Sequence, residues 1–149
     1  MNTMTTPSQA AIARVCAALT LQLVATLSHA ATVEVRVSGV VPNKGKIAVA
    51  VCDRERFLKQ CLYTTSVPAQ VNAAGETVVT IAGVPPGSWA VLAYQDANAN
   101  GELDRNFIGI PSENYGFSRD ARGRFGPPGF DDAAVAVAEP STTTAIMLR

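Results

Sequence analysis

The sequence predicts an all-β fold: a seven-stranded antiparallel β-sandwich, prealbumin- or immunoglobulin-like, with one long ordered loop. Three observations carry this reading. Beyond residue 31, short runs of alternating apolar and polar residues recur between turns rich in Gly, Pro and Asn. No stretch of that region has the spacing of a long amphipathic helix. Segment 96–131 lacks a regular pattern yet carries Phe107, Ile108, Ile110, Tyr115, Phe117, Phe125 and Phe130, an apolar load that a disordered linker does not have.

The strands follow in order. Thr32 to Gly39 places Val33, Val35 and Val37 on one face and Glu34 and Arg36 on the other. After a turn at Pro42-Asn43-Lys44-Gly45, Lys46 to Cys52 points Ile47, Val49 and Val51 inward, with two alanines opposite. The stretch from Asp53 to Gln60 reads as one or two helical turns. Leu62 to Val71 is a strand that Pro68 confines to an edge or a bulge. Glu76 to Ala82 and Ser88 to Gln95 flank the turn Val84-Pro85-Pro86-Gly87, and Trp89 and Leu92 are expected to fill the centre of a thin core. Asp132 to Ala138 and Thr142 to Leu148 close the domain around Glu139-Pro140-Ser141.

Residues 1–30 read as an export signal. Arg14 precedes an apolar run, Val15 to Leu27, and Ser28-His29-Ala30 offers small residues at both recognition positions, so cleavage is expected after Ala30. The run is short for a bilayer span, and no second one follows, so no transmembrane segment is expected after signal removal. The expected product is a single domain over residues 31–149, located in the periplasm or outside the cell. Cleavage would remove His29, the one histidine, together with Cys16. The remaining Cys52 and Cys61 are then expected to pair in an oxidising compartment, a link contributing roughly 2–3 kcal/mol for so short a loop.

This inventory excludes several function classes. Without an imidazole there is no Ser-His-Asp triad, no Cys-His pair and no ordinary zinc site. Acidic and basic residues balance at 12 each over the whole chain, with no basic stripe for nucleic acid. Carboxylate chemistry on a glycan, with a pair such as Glu113 and Asp131, stays open as a minor alternative. The expected role is non-catalytic: an exported module that meets an envelope or extracellular partner, protein or glycan. The alternative is a purely structural accessory domain of an envelope assembly.

The chemistry of the domain concentrates in Asp96-Ala97-Asn98-Ala99-Asn100-Gly101-Glu102-Leu103-Asp104. Oxygen-bearing side chains at alternate positions, followed by Gly, match the first half of a calcium loop. Calcium takes six to eight oxygens, and alternate side chains on a curled backbone can converge on one ion. The expected ligand set is Asp96, Asn98, Asn100, the Glu102 carbonyl, Asp104 and Glu113. A helix-loop-helix hand is ruled out, because a strand precedes the loop and its twelfth residue is Phe107 rather than Glu. Tyr115, Phe117, Phe125 and Phe130 are the candidate partner-binding rings, with coverage of one end of the sandwich as their competing role.

Three stretches also carry a resemblance. PPGSWAVLAYQDANANGELD, GIPSENYGFS and FGPPGFDDAAV, in this order, resemble the bacterial family of domain of unknown function 2141. The resemblance implies an exported prealbumin-like β-sandwich and brings no activity with it. The Pro-Pro-Gly turn, strand and Asp loop are also locally similar to B-type repeat domains of bacterial surface proteins, whose loops hold calcium. That likeness bears on Asp96, Asn98, Asn100 and Asp104 alone.

Overall fold

The structure is a computed structural model that describes Met1 and residues 30–149; Arg14, the apolar run and His29 of the expected signal lie outside the described residues. Eight strands form where the alternating pattern places most of them: β1 Ala31–Ser38, β2 Lys46–Cys52, β3 Tyr63–Pro68, β4 Thr77–Val84, β5 Gly87–Asp96, β6 Tyr115–Phe117, β7 Ala134–Val137 and β8 Ser141–Met147. They make two sheets. One has three strands in the order β4-β1-β8; in the other, five strands run β3-β2-β5-β6, with β7 also paired to β5.

Two features depart from the expected seven antiparallel strands. The added strand is β6, three residues inside the supposed loop and too short to show a period. And β8 runs parallel to β1, Val35 facing Thr144, because the chain visits the other sheet as β7 before returning. Pro68 ends β3 on an edge, as a missing N–H requires. The Pro85-Pro86 turn joins β4 in one sheet to β5 in the other.

The main core lies between the sheets. Val33, Val35 and Val37 of β1 are fully buried against Ile47, Val49 and Val51 of β2, with Val91 and Ala93 of β5 completing the layer. Strand alternation corrects one expectation here. Val91 faces this core, so Leu92 cannot; it points outward, away from the centre it was expected to fill. Trp89 sits half-buried at the rim, its indole N–H donating to the Pro85 carbonyl at 2.8 Å and its ring edge-on to Tyr63.

The outward face of β5 belongs to a second, smaller core. Ala90, Phe117, Phe130 and Ala133 are buried there, with Phe57, Leu92 and Tyr115 packed against them. Segment 96–131 is therefore more than a loop: it contains β6, a single 3₁₀ turn over Ser118–Asp120 and the start of a short helix, α1 Phe130–Ala133. Phe57 arrives from the 53–60 excursion, which forms non-helical turns where one or two helical turns were expected. Asp53 holds it, accepting the Arg56 amide at 2.8 Å, and Leu58 takes a φ of 61° that no helix continues through. The disulfide Cys52–Cys61 closes the excursion, with Cα atoms 4.8 Å apart.

Two small residues let the second layer dock. β6 pairs with β5 at residues 92–94 and β7 pairs with it at 87–90, leaving Val91 unpaired on that edge. The fully buried Ser118 hydroxyl fills the gap: it accepts from the Val91 amide at 3.0 Å and sits within bonding distance of the Val91 and Ala133 carbonyls. Gly116 faces inward beneath β8, where a methyl group would overlap the Met147 carbonyl. Replacing Ser118 with Ala should leave the Val91 amide buried without a partner and cost about 1–3 kcal/mol. Urea unfolding of Ser118→Ala against the parent checks this, and equal midpoints would refute the bridging role. Mass spectrometry of the unreduced protein should likewise find Cys52 linked to Cys61, whereas two alkylatable thiols would contradict the link.

Candidate functional site

The loop that follows β5 is assembled from its own polar groups. Asp96, the last residue of β5, is 3% exposed, and its carboxylate accepts the amides of Asn100 at 3.0 Å and Gly101 at 2.8 Å. These bonds curl the backbone, and Gly101 takes the φ of 85° that the curl needs. Asn98 and Asn100 repeat the device one step on: their Oδ1 atoms accept the amides of Asn100 and Glu102 at 3.1 and 2.9 Å.

The same two amide side chains converge on one carboxylate. Asn98 Nδ2 donates to one Asp104 oxygen at 2.7 Å, and Asn100 Nδ2 donates to the other at 2.9 Å. Asp96, Asn98, Asn100 and Asp104 thus form one knot, as their spacing predicts. Glu102 enters through its backbone, and its side chain is exposed. Glu113 joins the knot in a different manner. Its carboxylate accepts the Ala97 amide at 2.7 Å and the Asp104 amide at 3.1 Å, clamping the two ends of the loop. Among the described residues, no three or more His, Cys, Asp or Glu side chains form a ready metal-ligating group.

The knot is electronegative, and Tyr94 registers it. The phenol donates to the Gly101 carbonyl at 3.1 Å. Burial pushes its pKa above the ordinary value, and Asp96, Glu113 and Glu102 add to the rise. A groove of about 440 Å³ opens beside the loop, lined by Lys46, Ala48, Ala50, Thr64, Ser66 and Tyr94 among others.

The predicted partner-binding rings do not share one fate. Phe117 and Phe130 are buried, with Phe57 edge-on to both at 5.9 and 5.8 Å. Tyr115 is half-buried and edge-on to Phe117. They cover the outward face of β5 at Ala90 and Leu92, which are apolar. Phe125 alone of the four is fully exposed, at 103%, and an unforeseen apolar group, Phe107, Ile108 and Ile110, is exposed with it. Asp131, candidate partner of Glu113 in a glycan-cleaving pair, is occupied elsewhere. It makes a two-bond ion pair with Arg54, whose guanidinium lies 4.6 Å from the Phe130 ring centre, and that hydrogen bond lowers the Asp131 pKa.

Sequence reasoning missed Ser118, Phe57, Arg54 and Gln95. Gln95 is buried at the end of the main core, accepting the Val41 amide and donating to the Val41 and Lys44 carbonyls, so it fixes the β1–β2 turn. A polar residue at an inward strand position was the available signal for it. For the clamp, Glu113→Ala should speed amide exchange at Ala97 and Asp104 and lower stability by about 1–2 kcal/mol. Unchanged exchange at both amides would show that the clamp does not hold the loop.

Residues 35–145 match the profile of a family described as an uncharacterized protein conserved in bacteria (DUF2141), and the chain belongs to that family. No curated protein and no solved structure matches it.

Proposed function

We propose that this family member is an exported, non-catalytic β-sandwich module whose 96–104 loop takes up calcium and holds the neighbouring segment in shape for an envelope or extracellular partner. One observation carries the reading: Asn98 and Asn100 both reach Asp104, next to an Asp96 carboxylate already turned into the loop. The donor chemistry fits a hard cation. Each Asp96 oxygen accepts one N–H and keeps a second lone pair. The Asn98 and Asn100 Oδ1 atoms likewise accept one N–H each and keep a second lone pair. Asp96, Asn98, Asn100 and Asp104 would hold the ion with the Glu102 carbonyl, and Glu113 would remain the clamp, a change from its expected place among the ligands. Calcium would supply charge neutralisation and cross-linking there. With two carboxylates in the set, a dissociation constant of roughly 0.1–1 mM is expected.

A second reading has its own support. The loop closes its hydrogen bonds internally, which suits a purely structural accessory domain that needs no ion. Calcium titration separates the two. At ten times the dissociation constant, calcium should add about 1.4 kcal/mol of stability, read as a rise in melting temperature. Asp96→Ala should abolish the rise while keeping a folded baseline. The phenol supplies a second readout. A raised folded pKa means that Tyr94 favours the native state fully below the ordinary tyrosine range and loses that contribution as pH climbs through the raised value. Calcium, by offsetting Asp96, should move the Tyr94 titration downward in ultraviolet absorbance. A melting temperature and a phenol titration both indifferent to calcium would leave the structural reading standing.

A further inference from the structure

The Asn100–Gly101 bond carries chemistry that goes beyond this reading and needs no calcium. Asn100 is the one asparagine of the chain followed by glycine. Both residues are exposed, and nothing lies within 4 Å of where a Gly101 Cβ would stand. A glycine amide nitrogen has no side chain beside it to shield it from a neighbouring carbonyl carbon. The Asx turn supplies that carbon. With Oδ1 bonded to the Glu102 amide at 2.9 Å, the Asn100 side chain folds forward over the Gly101 peptide. Two groups held next to each other in this way react without a bimolecular encounter.

The reaction needs only water. The Gly101 nitrogen bonds to Asn100 Cγ, the Cγ–Nδ2 bond breaks, and Nδ2 leaves as ammonia, taking up the Gly101 amide proton. Water then opens the succinimide ring at either carbonyl, leaving aspartate or an isoaspartyl linkage at position 100.

The folded loop withholds the nitrogen. The amide nitrogen is planar in the peptide and in the imide, so Cγ must arrive where the amide hydrogen stands. Asp96 Oδ2 occupies that direction, 2.8 Å from the Gly101 nitrogen, on a side chain buried at the strand end. Asp104 holds the leaving group, accepting from Asn100 Nδ2 at 2.9 Å. Ring closure therefore waits for the knot to open. The product then alters the closed state. A carboxylate at position 100 has no N–H for Asp104, so two acceptor-only groups would face each other and the knot could not re-form.

We propose that Asn100 is a self-deamidation site gated by the Asp96 carboxylate, a one-way switch that makes a transient opening of the 96–104 loop permanent.

The test incubates the full chain in mildly alkaline buffer with a chelator, so that calcium plays no part. Products are mapped by mass spectrometry and by enzymatic labelling of isoaspartate. Asn100 should convert slowly in the native chain, while Asn98, followed by Ala99, keeps its amide. In urea Asn100 should convert faster, by the factor that protects the Gly101 amide from exchange in the native chain, because one opening governs both. Asp96→Ala should raise the native rate about tenfold or more, the loss of one hydrogen bond to a charged group, with amide exchange in the sheets unchanged. Asn100→Asp should speed exchange at Gly101 and Glu102. Four results would each overturn the switch: no conversion in the native chain, equal rates with and without urea, an unchanged rate in folded Asp96→Ala, or parent-like exchange in Asn100→Asp. The urea comparison uses the parent alone, so it decides even where Asp96→Ala does not fold. A melting temperature indifferent to calcium would strike the loop chemistry proposed above and leave this switch intact.

Discussion

Everything outside the main core depends on β5 having two faces to bury. Val91 and Ala93 look into the sandwich, while Ala90 and Leu92 look out. A strand apolar on both faces cannot rest against water on one of them, so the chain must supply a second cover. That cover is built from segment 96–131 and the disulfide excursion, which meet where Phe57 packs edge-on to Phe117 and Phe130. Arg54 and Asp131 then join the same two pieces at the surface; with both groups largely exposed, the pair adds register more than stability.

The cover attaches through hydrogen bonds that a continuous strand would otherwise have made. β6 and β7 each claim part of one edge of β5, and Ser118 serves the residue between them. Dividing the edge in this way lets a helix start and an aromatic cluster sit between the two short strands. Gly116 makes the arrangement possible on the inner side, where β8 passes too close for any side chain. Segment 96–131 is thus organised by protein groups at its centre, with Glu113, β6 and Ser118 following one another in the chain.

How much of this the sequence disclosed depended on the range of each signal. The inner strands were legible because Val33, Val35 and Val37, or Ile47, Val49 and Val51, declare their face by alternation within a few residues. The knot at Asp96 was legible because its side chains converge from alternate positions of a single turn. The second core was not, since Phe57, Leu92 and Phe130 meet across long stretches of chain and no local period links them. Ser118 reads as an ordinary surface serine until the broken edge beside Val91 is seen. Glu113 was placed in this neighbourhood by its spacing, and the fold adds that both its oxygens face amides.

The end of β5 also sets how far an event in the loop can travel. Gln95 and Asp96 are adjacent and both buried, and strand alternation sends them opposite ways. Gln95 holds the β1–β2 turn from inside, and Asp96 holds the 96–104 loop from outside. Any ligand that pulled on Asp96 would also strain a residue whose neighbour is tied by three bonds to another turn. Such a strand end resists displacement, so ligand energy would go into stiffening the loop and the segment Glu113 connects to it, with the sandwich unchanged. The exposed 105–111 turn lies between Asp104 and Glu113, inside the stretch that this clamp closes. Its apolar tip is therefore carried on a short, doubly anchored base, the arrangement in which a few exposed side chains can be presented at a fixed angle without a helix or long hairpin behind them.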